Sequence, residues 1–284
     1  MDEMKLLNGK ELADKVKEEV KEQVSKITNG VCLAVIQVGD ESASSVYVRN
    51  KEKACEYVGI TSRIYKYPEY YSTNEIIDVI NTLNRDKSVN GILVQLPLPD
   101  HVDEYRVIQS ILPEKDVDGF HESNIGKLMI GKETFIPCTA LGIIELLNEN
   151  NIKISGKNCV VVGRSNIVGK PTAIELLHHN GTVTICHSKT KYLKRICKKA
   201  DILVCAIGKP KFFNRDYISP NTVVIDVGIH RQDDGTLCGD VDFDDVKDIV
   251  SAITPVPKGV GAMTVAMLMK NCVRAAQLQE LQLL

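Results

Sequence analysis

Aromatic residues are scarce in this chain of 284 residues: tryptophan is absent, and aromatic residues make up only 5% of the sequence. Neither sign of charge dominates, because 35 Lys and Arg residues stand against 37 Asp and Glu residues and the formal net charge is −2. A nucleic-acid-binding module needs a basic surface and aromatic side chains on which bases stack. The composition therefore excludes nucleic acid as an expected partner, and partners must be sought at local sites.

Long apolar runs are missing as well. No stretch reaches the roughly 18 apolar residues that a membrane span requires, and the charged start of the chain, M-D-E-M-K, does not resemble a signal peptide. We therefore expect no membrane partner and a cytoplasmic location. The nine cysteines include no C-x-x-C pair, which favours reduced core thiols over disulfides or zinc. We accordingly predict no bound metal.

Strands and helices are predicted to alternate along the chain, which indicates an α/β fold with a parallel sheet. Strands, most of them apolar runs, are predicted at residues 31–38, 60–67, 92–96, 159–162, 182–186, 202–207 and 223–227. Helical spacing predicts helices at residues 12–24, 44–57, 74–84 with Thr73 as cap, 139–150 with Thr139 as cap, 191–199 and 263–281. We predict two domains, the second at residues 139–262. The last helix is apolar enough to pack back on the first domain, which would then comprise residues 1–138 and 263–284.

A strand, a glycine turn and a helix start follow one another in C-V-V-V-G-R-S-N-I-V-G-K-P-T, residues 159–172. Unpaired backbone N–H groups and the dipole at such a helix start favour a phosphate group. A P-loop is excluded because the two glycines are six positions apart and Pro171 replaces the required hydroxyl residue. The dinucleotide fingerprint G-x-G-x-x-G is met only at Gly163, since Ser165 and Val168 occupy its later positions. Both a phosphate-binding turn and a purely structural turn remain open from the local pattern.

The strand at residues 182–186 is followed by H-S-K-T, where an NAD site usually carries an Asp or Glu for the ribose. No acid stands there. The hydroxyl of Ser188 and the cation of Lys189, with Arg164 in the preceding turn, suit the 2′-phosphate of NADP. A solvated polar loop is the alternative interpretation.

In the first domain the informative residues are polar groups near strand ends, because open parallel sheets bind ligands outside those ends. Gln95 lies in an apolar run and needs buried partners or a ligand. Tyr47 and Lys51 are four apart on one predicted helix and therefore share a face, although two surface residues would show the same spacing. Asp116 and Asp118 in K-D-V-D-G belong either to a site or to a solvated turn.

Several motifs taken together resemble one enzyme family. In chain order they are S-S-V-Y-V-R-N-K-E-K-A, G-I-L-V-Q-L-P-L-P, P-E-K-D-V-D-G-F, P-C-T, G-R-S-N-I-V-G-K-P, C-H-S-K-T, A-I-G-K-P and T-P-V-P-K-G-V-G-A-M-T. This series is similar to the bifunctional methylenetetrahydrofolate dehydrogenase/cyclohydrolase family and runs from about residue 8 to residue 276. The resemblance implies a folate-binding α/β domain, a Rossmann-like NADP-binding domain, a homodimer, and a place in one-carbon metabolism, tetrahydrofolate interconversion and purine biosynthesis.

The resemblance also implies roles for single residues. It assigns catalysis to Lys51, Gln95 and Tyr47. It assigns substrate contacts to Tyr47, Lys51, Gln95, Asp118, Pro255 and Gly259. It assigns cofactor contacts to Thr139, Gly163, Arg164, Ser165, Ser188, Ile229 and Thr264. The sequence departs from the family pattern at Ala140, at Lys258 and at Ala262, where Lys258 either favours a polyglutamylated substrate or simply faces solvent.

The chemistry of such an enzyme asks different things of the protein in its two steps. Removing hydride from the carbon that bridges two folate nitrogens leaves a stabilised amidinium cation, so oxidation requires mainly positioning. Hydrolysis also requires proton transfers. Lys51 would either assist these transfers or polarise the reacting carbon centre, and Gln95 would fix the orientation of Lys51. A monofunctional NAD-dependent dehydrogenase and a non-catalytic dinucleotide sensor are the alternative hypotheses.

Overall fold

The structure is a computed structural model that describes residues 4–39 and 42–282, with the backbone alone described at residues 42–46 and 282. The first half of the chain forms β1 (Lys5–Leu6), α1 (Gly9–Val24), β2 (Cys32–Val38), α2 (Ser42–Val58), β3 (Thr61–Tyr67), α3 (Thr73–Arg85), β4 (Gly91–Val94), α4 (Glu104–Gln109), α5 (Glu122–Met129) and α6 (Cys138–Glu149). The second half forms β5 (Asn158–Val162), α7 (Gly169–His178), β6 (Thr182–Cys186), α8 (Leu193–Cys197), β7 (Ile202–Cys205), β8 (Val223–Asp226), β9 (His230–Arg231), β10 (Leu237–Cys238), α9 (Phe243–Val246), β11 (Ala252–Ile253) and α10 (Val260–Gln282). The predicted alternation of strands and helices is confirmed.

The chain divides into two compact units. The six-stranded unit comprises Met1–Ala13 and Thr139–Thr264, and the three-stranded unit comprises Asp14–Cys138 and Val265–Leu284. The boundaries expected from the sequence placed the first 13 residues with the three-stranded unit instead. The structure groups them with the other unit because β1 pairs in parallel with β11.

The six-stranded unit is built on a parallel sheet with the strand order β1-β11-β8-β7-β5-β6. The β5 strand lies between β7 and β6, and four of its five residues are buried because helices cover a parallel sheet on both faces. The carboxyl ends of β5, β6, β7 and β8 therefore lie on the same edge. Dinucleotides bind at this edge in Rossmann-like folds.

The three-stranded unit has the parallel strand order β3-β2-β4, and all seven residues of the central β2 are buried. Helix α3 packs on this sheet through Ile76, Ile80 and Leu83, which lie on one helical face. Burying each of these side chains contributes roughly 1.5–3 kcal/mol.

The C-terminal helix packs back on the three-stranded unit, as the sequence predicted. Within that unit, the side-chain amide of Asn271 donates to the carbonyl oxygens of Val117, at 2.8 Å, and Ile136, at 3.2 Å. Further along α10, Gln279 donates to the carbonyl oxygen of Asn90 at 3.0 Å. These bonds pair polar groups that would otherwise be buried without partners.

Two helix caps differ from the sequence predictions. Ser72, not Thr73, caps α3, because Ser72 forms a reciprocal capping box with Glu75. The hydroxyl of Thr73 accepts instead from the backbone N–H of Asp103 at 2.9 Å. Thr139 lies inside α6, which begins one residue earlier, and its hydroxyl is hydrogen-bonded to Thr264 at 3.1 Å.

All nine cysteines are buried free thiols, as their scattered spacing predicted. Burial raises the pKa of Cys55 to about 12 and that of Cys159 to about 11, because a thiolate is poorly solvated inside protein. Among the helices in the described part of the chain, none is both long and apolar enough to span a bilayer.

Candidate functional site

A lysine and an amide form the centre of a polar cluster in the three-stranded unit. Lys51 lies on α2, and its Nζ donates to Oε1 of Gln95 at 3.0 Å. Gln95 directly follows β4, and its Nε2 donates to the carbonyl oxygen of Leu96 at 2.7 Å. Because an ammonium group can only donate, this arrangement fixes which end of the amide faces the lysine. Gln95 therefore holds the amino group of Lys51 at the end of the strand.

The acidic segment K-D-V-D-G is placed in the same cluster by its backbone. Asp116 forms a parallel bridge with Ile92 of β4. Its buried carboxylate accepts from the backbone N–H groups of Gly119, at 3.1 Å, and His121, at 2.8 Å, and from the side chain of Asn124. Asp116 is thus an internal anchor of the turn, and the alternative that it is solvated is wrong.

Asp118 lies two residues beyond this anchor and carries a desolvated carboxyl group. Burial raises the pKa of Asp118 to about 6, while the positive charge of Lys51 opposes the rise and the negative charge of Asp116 adds to it. The neighbouring Cys138 thiol also lowers the pKa of this carboxyl group. Lys51, Gln95 and Asp118 therefore belong to one interacting cluster.

Tyr47 lies one helical turn before Lys51 on α2, so the two side chains share a face as predicted. Its side chain is 37% exposed, and burial of the remainder raises the pKa of its phenol. The ring therefore offers a flat apolar surface next to a cationic group.

The glycine turn of the six-stranded unit depends on close backbone packing. Gly163 has φ +144°, and a Cβ placed there would lie 2.3 Å from the carbonyl oxygen of Ala206. A Cβ on Gly169 would lie 2.3 Å from the carbonyl oxygen of Gly163. Gly169, which falls outside the dinucleotide fingerprint, therefore allows the start of α7 to contact the turn.

The expectation of unpaired N–H groups at this helix start is wrong for its first residues. The N–H groups of Val168 and Gly169 donate to Oγ of Ser165 at 3.2 and 3.3 Å. The N–H of Lys170 donates to the carbonyl oxygen of Ser165, and Pro171 has no N–H. The side chains of this turn, rather than these N–H groups, are thus the groups available to a ligand.

Two of the predicted cofactor-binding side chains lie on the same edge of the sheet. Arg164 follows β5, and Ser188 follows β6, its parallel neighbour in the sheet; both residues are exposed. The H-S-K-T loop is folded locally, because Oγ1 of Thr190 accepts from the N–H of His187 at 2.9 Å. A guanidinium and a hydroxyl group on neighbouring strand ends form a donor set that suits a phosphate monoester.

The structure brings three further predicted cofactor residues together at the start of α10. Thr139 and Thr264 are hydrogen-bonded to each other. Ile229 follows β8 and packs over Gly261, where an added Cβ would meet its Cδ1 at 2.8 Å. Thr264 therefore belongs to the first turn of α10, and Ile229 packs against the same turn.

The loop T-P-V-P-K-G precedes α10 and contains Pro255 and Gly259. It belongs to the six-stranded unit. Gly259 is buried against the carbonyl oxygen of Pro255, 2.3 Å from the position of an added Cβ. Lys258 is exposed with φ +80°, a left-handed conformation that favours glycine. Its carbonyl oxygen accepts from the N–H of Lys10 at 3.0 Å, which ties the loop to α1.

Three buried or half-buried polar residues escaped the sequence interpretation. They are Asp226, His230 and Asp240, whose side chains hold the loops after β7 and β8. The one available signal was Asp226 itself, an acid that closes the apolar run V-V-I-D.

A parallel-sheet unit with a glycine turn, and a second α/β unit with a lysine, amide and aspartate cluster, define a dinucleotide-dependent enzyme of the α/β class. Residues 137–280 match the family profile "Tetrahydrofolate dehydrogenase/cyclohydrolase, NAD(P)-binding domain", and residues 7–118 match "Tetrahydrofolate dehydrogenase/cyclohydrolase, catalytic domain". The chain belongs to the tetrahydrofolate dehydrogenase/cyclohydrolase family.

Individual relatives agree with this assignment. The chain is 59% identical to the bifunctional protein FolD of Agathobacter rectalis, over 95% of this chain and 98% of that protein. Among solved structures, the bifunctional FolD of Campylobacter jejuni is similar with a TM-score of 0.94 and 48% identity, covering 96% of this chain and 99% of that one. The Trypanosoma brucei dehydrogenase-cyclohydrolase, solved with NADP and an inhibitor, is similar with a TM-score of 0.93 and 34% identity, covering 98% of both chains.

Proposed function

We propose that this protein oxidises 5,10-methylenetetrahydrofolate to the 5,10-methenyl form with NADP and then hydrolyses that product to 10-formyltetrahydrofolate. The observation that carries the proposal is the hydrogen bond from Lys51 to Gln95, with Asp118 coupled to the same ammonium group. The retained lysine and amide favour hydrolysis in addition to oxidation, against a monofunctional dehydrogenase. The test is to follow methylenetetrahydrofolate spectroscopically with NADP or NAD. Continued accumulation of the methenyl product would contradict the hydrolase activity.

Substrate binding is proposed to fall to three groups of the polar cluster. An ionised Asp118 accepts two hydrogen bonds from the adjacent N–H donors of the aminopyrimidinone ring. Tyr47 stacks its ring on the aminobenzoyl group, because a rigid aromatic side chain buries area at a modest entropic cost. We assign Pro255 and Gly259 to further substrate contacts on the basis of their motif.

Oxidation asks the protein for positioning rather than proton transfer, because the amidinium product is stabilised by both of its nitrogens. NADP supplies the hydride acceptor when bound. We propose that Arg164, Ser165 and Ser188 hold its phosphorylated ribose, and that Gly163, Thr139, Ile229 and Thr264 line the rest of its site. The donor set at the ends of β5 and β6 fits a 2′-phosphate and offers no carboxylate to a bare ribose.

Hydrolysis requires several bond changes at the methenyl carbon. Water adds to the cationic carbon and loses a proton, and then one carbon–nitrogen bond breaks as the leaving nitrogen gains a proton. We propose that Lys51, held by Gln95 at 3.0 Å, assists at this centre by moving a proton or by stabilising the developing oxyanion. Both roles need the ammonium group at this position.

Arg164 tests the cofactor assignment. Arg164→Ala is expected to raise the KM for NADP about 10- to 100-fold, because a hydrogen bond between charged groups is worth ~1.5–3 kcal/mol. The KM for NAD should stay within about twofold, since NAD has no 2′-phosphate. Arg195→Ala, which removes an exposed arginine from α8 of the same unit, is the matched control. Equal effects on the two cofactors would contradict the assignment.

We further propose a cytoplasmic homodimer that serves purine biosynthesis by supplying formyl groups. The edge strand β6 exposes Ile185, and α7 exposes Leu177, with 41% and 53% of these side chains accessible. A second copy would cover this apolar edge. The nine reduced thiols suit a reducing compartment. Light scattering should give about twice the chain mass of 31.4 kDa, and a monomeric mass would refute the dimer.

A further inference from the structure

A single carboxylate, outside every motif discussed so far, organises the edge of the six-stranded sheet. Asp240 is fully buried. Its Oδ2 accepts from the N–H groups of Ile207 and Gly208, at 2.6 and 3.0 Å. Its Oδ1 accepts from the N–H of Lys209, at 2.9 Å, and from Nε2 of His230, at 2.8 Å. Four donors thus converge on one carboxylate.

These donors come from the loops that follow two neighbouring strands. The loop after β7 donates three successive N–H groups, and the fourth donor is His230, the first residue of β9, which directly follows the loop after β8. The first loop begins at Ala206, whose carbonyl oxygen packs against Gly163 of the dinucleotide turn. The second loop contains Ile229, the residue next to His230. Asp240 therefore joins two backbone segments. One contains Ala206, which packs against Gly163, and the other contains Ile229.

A second carboxylate fixes Asp240 in place. Asp226 ends β8 and accepts from the backbone N–H groups of Gly228, at 3.0 Å, Asp240, at 2.9 Å, and Val241, at 3.0 Å. Its own N–H donates to Oγ1 of Thr254 at 2.8 Å. Glycine is required at position 228, because a Cβ there would lie 2.4 Å from Oδ1 of Asp240. The network therefore has little room to rearrange.

We propose that Asp240 is a positioning residue for NADP, which sets the spacing between the dinucleotide turn and the Ile229 loop. This inference rests on the proposed function, since it takes Gly163 and Ile229 as cofactor contacts. Asp240 lies beneath the loops and acts through their backbones rather than by touching the reacting atoms. An ionised carboxylate suits this place because it accepts every one of the four hydrogen bonds and donates none.

The test is the substitution Asp240→Asn, which keeps the size of the side chain but turns one acceptor oxygen into a donor. The amide must then face an N–H group, so the loops lose at least one hydrogen bond and their fixed spacing. We expect the Kd and KM for NADP to rise at least about tenfold. Hydrolysis of methenyltetrahydrofolate, assayed without NADP, should stay within about twofold of the wild type, since it depends on Lys51 in the other unit. Asp248→Asn, an exposed acid of the same unit, is the matched control.

His230 provides a second, milder test if Asp240→Asn fails to fold. His230→Gln can still donate to Asp240 and should retain NADP affinity, whereas His230→Leu leaves the carboxylate short of one donor and should weaken NADP binding about threefold or more. Unchanged NADP affinity in folded Asp240→Asn, or in His230→Leu, would overturn the proposal. Equal loss of both activities in Asp240→Asn would also overturn it, because the role would then be structural alone. A wild-type protein without NADP-dependent oxidation would instead refute the proposed function.

Discussion

Lys51→Met is expected to slow hydrolysis of the methenyl substrate by about 10²- to 10⁴-fold, the usual range for the loss of a positioned proton-transfer group. Methionine keeps a long unbranched side chain and removes the ammonium group that donates to Gln95. Oxidation with NADP should fall much less, by about tenfold at most, because hydride removal requires no acid or base. The measurement compares both rates in the same preparation of the variant.

The assay pH matters, because the positive charge of Lys51 lowers the pKa of Asp118. Without that charge, Asp118 holds its proton to a higher pH and would bind the pterin less well. Measuring at about pH 8.5 keeps the carboxyl ionised, so that the loss reports on Lys51 itself. Lys53→Met removes an exposed lysine of the same helix and should leave hydrolysis unchanged. Equal hydrolysis in Lys51→Met and the wild type would remove Lys51 from the mechanism.

Asp118→Asn should weaken binding of a folate analogue about 100-fold at pH 8, because an amide cannot accept both hydrogen bonds of the pterin. The wild-type affinity should itself depend on pH, since the carboxyl group must be ionised to accept them. With a pKa of about 6, affinity is expected to fall about tenfold for each pH unit below that value. The variant should show no such dependence, and a wild-type profile that is flat between pH 8 and 5 would contradict the role.

The same substitution should change stability in the opposite direction. The pKa of Asp118 is raised from its ordinary value of 3.8 to about 6, so the folded protein holds a proton that the unfolded chain releases in this range. The contribution of Asp118 to the free energy of unfolding is fully present below about pH 4. It is lost as pH rises through about 6, by at most ~3 kcal/mol. Asp118→Asn should therefore raise the unfolding midpoint of the ligand-free protein at pH 8 and change it little at pH 4.

Periodicity predicted the fold because the central strands of the parallel sheets are near-continuous apolar runs, as β2 and β5 show. It did not predict β1, which has only two residues and no internal pattern. The periodic pattern also could not decide whether Ser72 or Thr73 caps α3. Both residue types cap helices, and the backbone conformation at the helix entrance decides between them.

The candidate site shows a similar division. Spacing placed Tyr47 and Lys51 on one helical face, but the bond to Gln95 joins residues 44 positions apart and no local pattern contains it. The family resemblance supplied that pairing. Asp226 and Asp240 met no motif, because they are brought together by the hairpin of β9 and β10 and act on backbone groups. Carboxylates that bind mainly main-chain N–H groups leave little trace in a single sequence.

The buried thiols give the molecule an internal set of reporters. The three-stranded unit contains Cys32, Cys55, Cys138 and Cys272, and the six-stranded unit contains Cys159, Cys186, Cys197, Cys205 and Cys238. A thiol that is shielded and held protonated reacts with an alkylating reagent only when its surroundings open. Mass spectrometry of partly labelled protein would therefore distinguish opening of one unit from opening of the other, with no engineered probe. Adding NADP or a folate analogue would then show which unit each ligand holds closed.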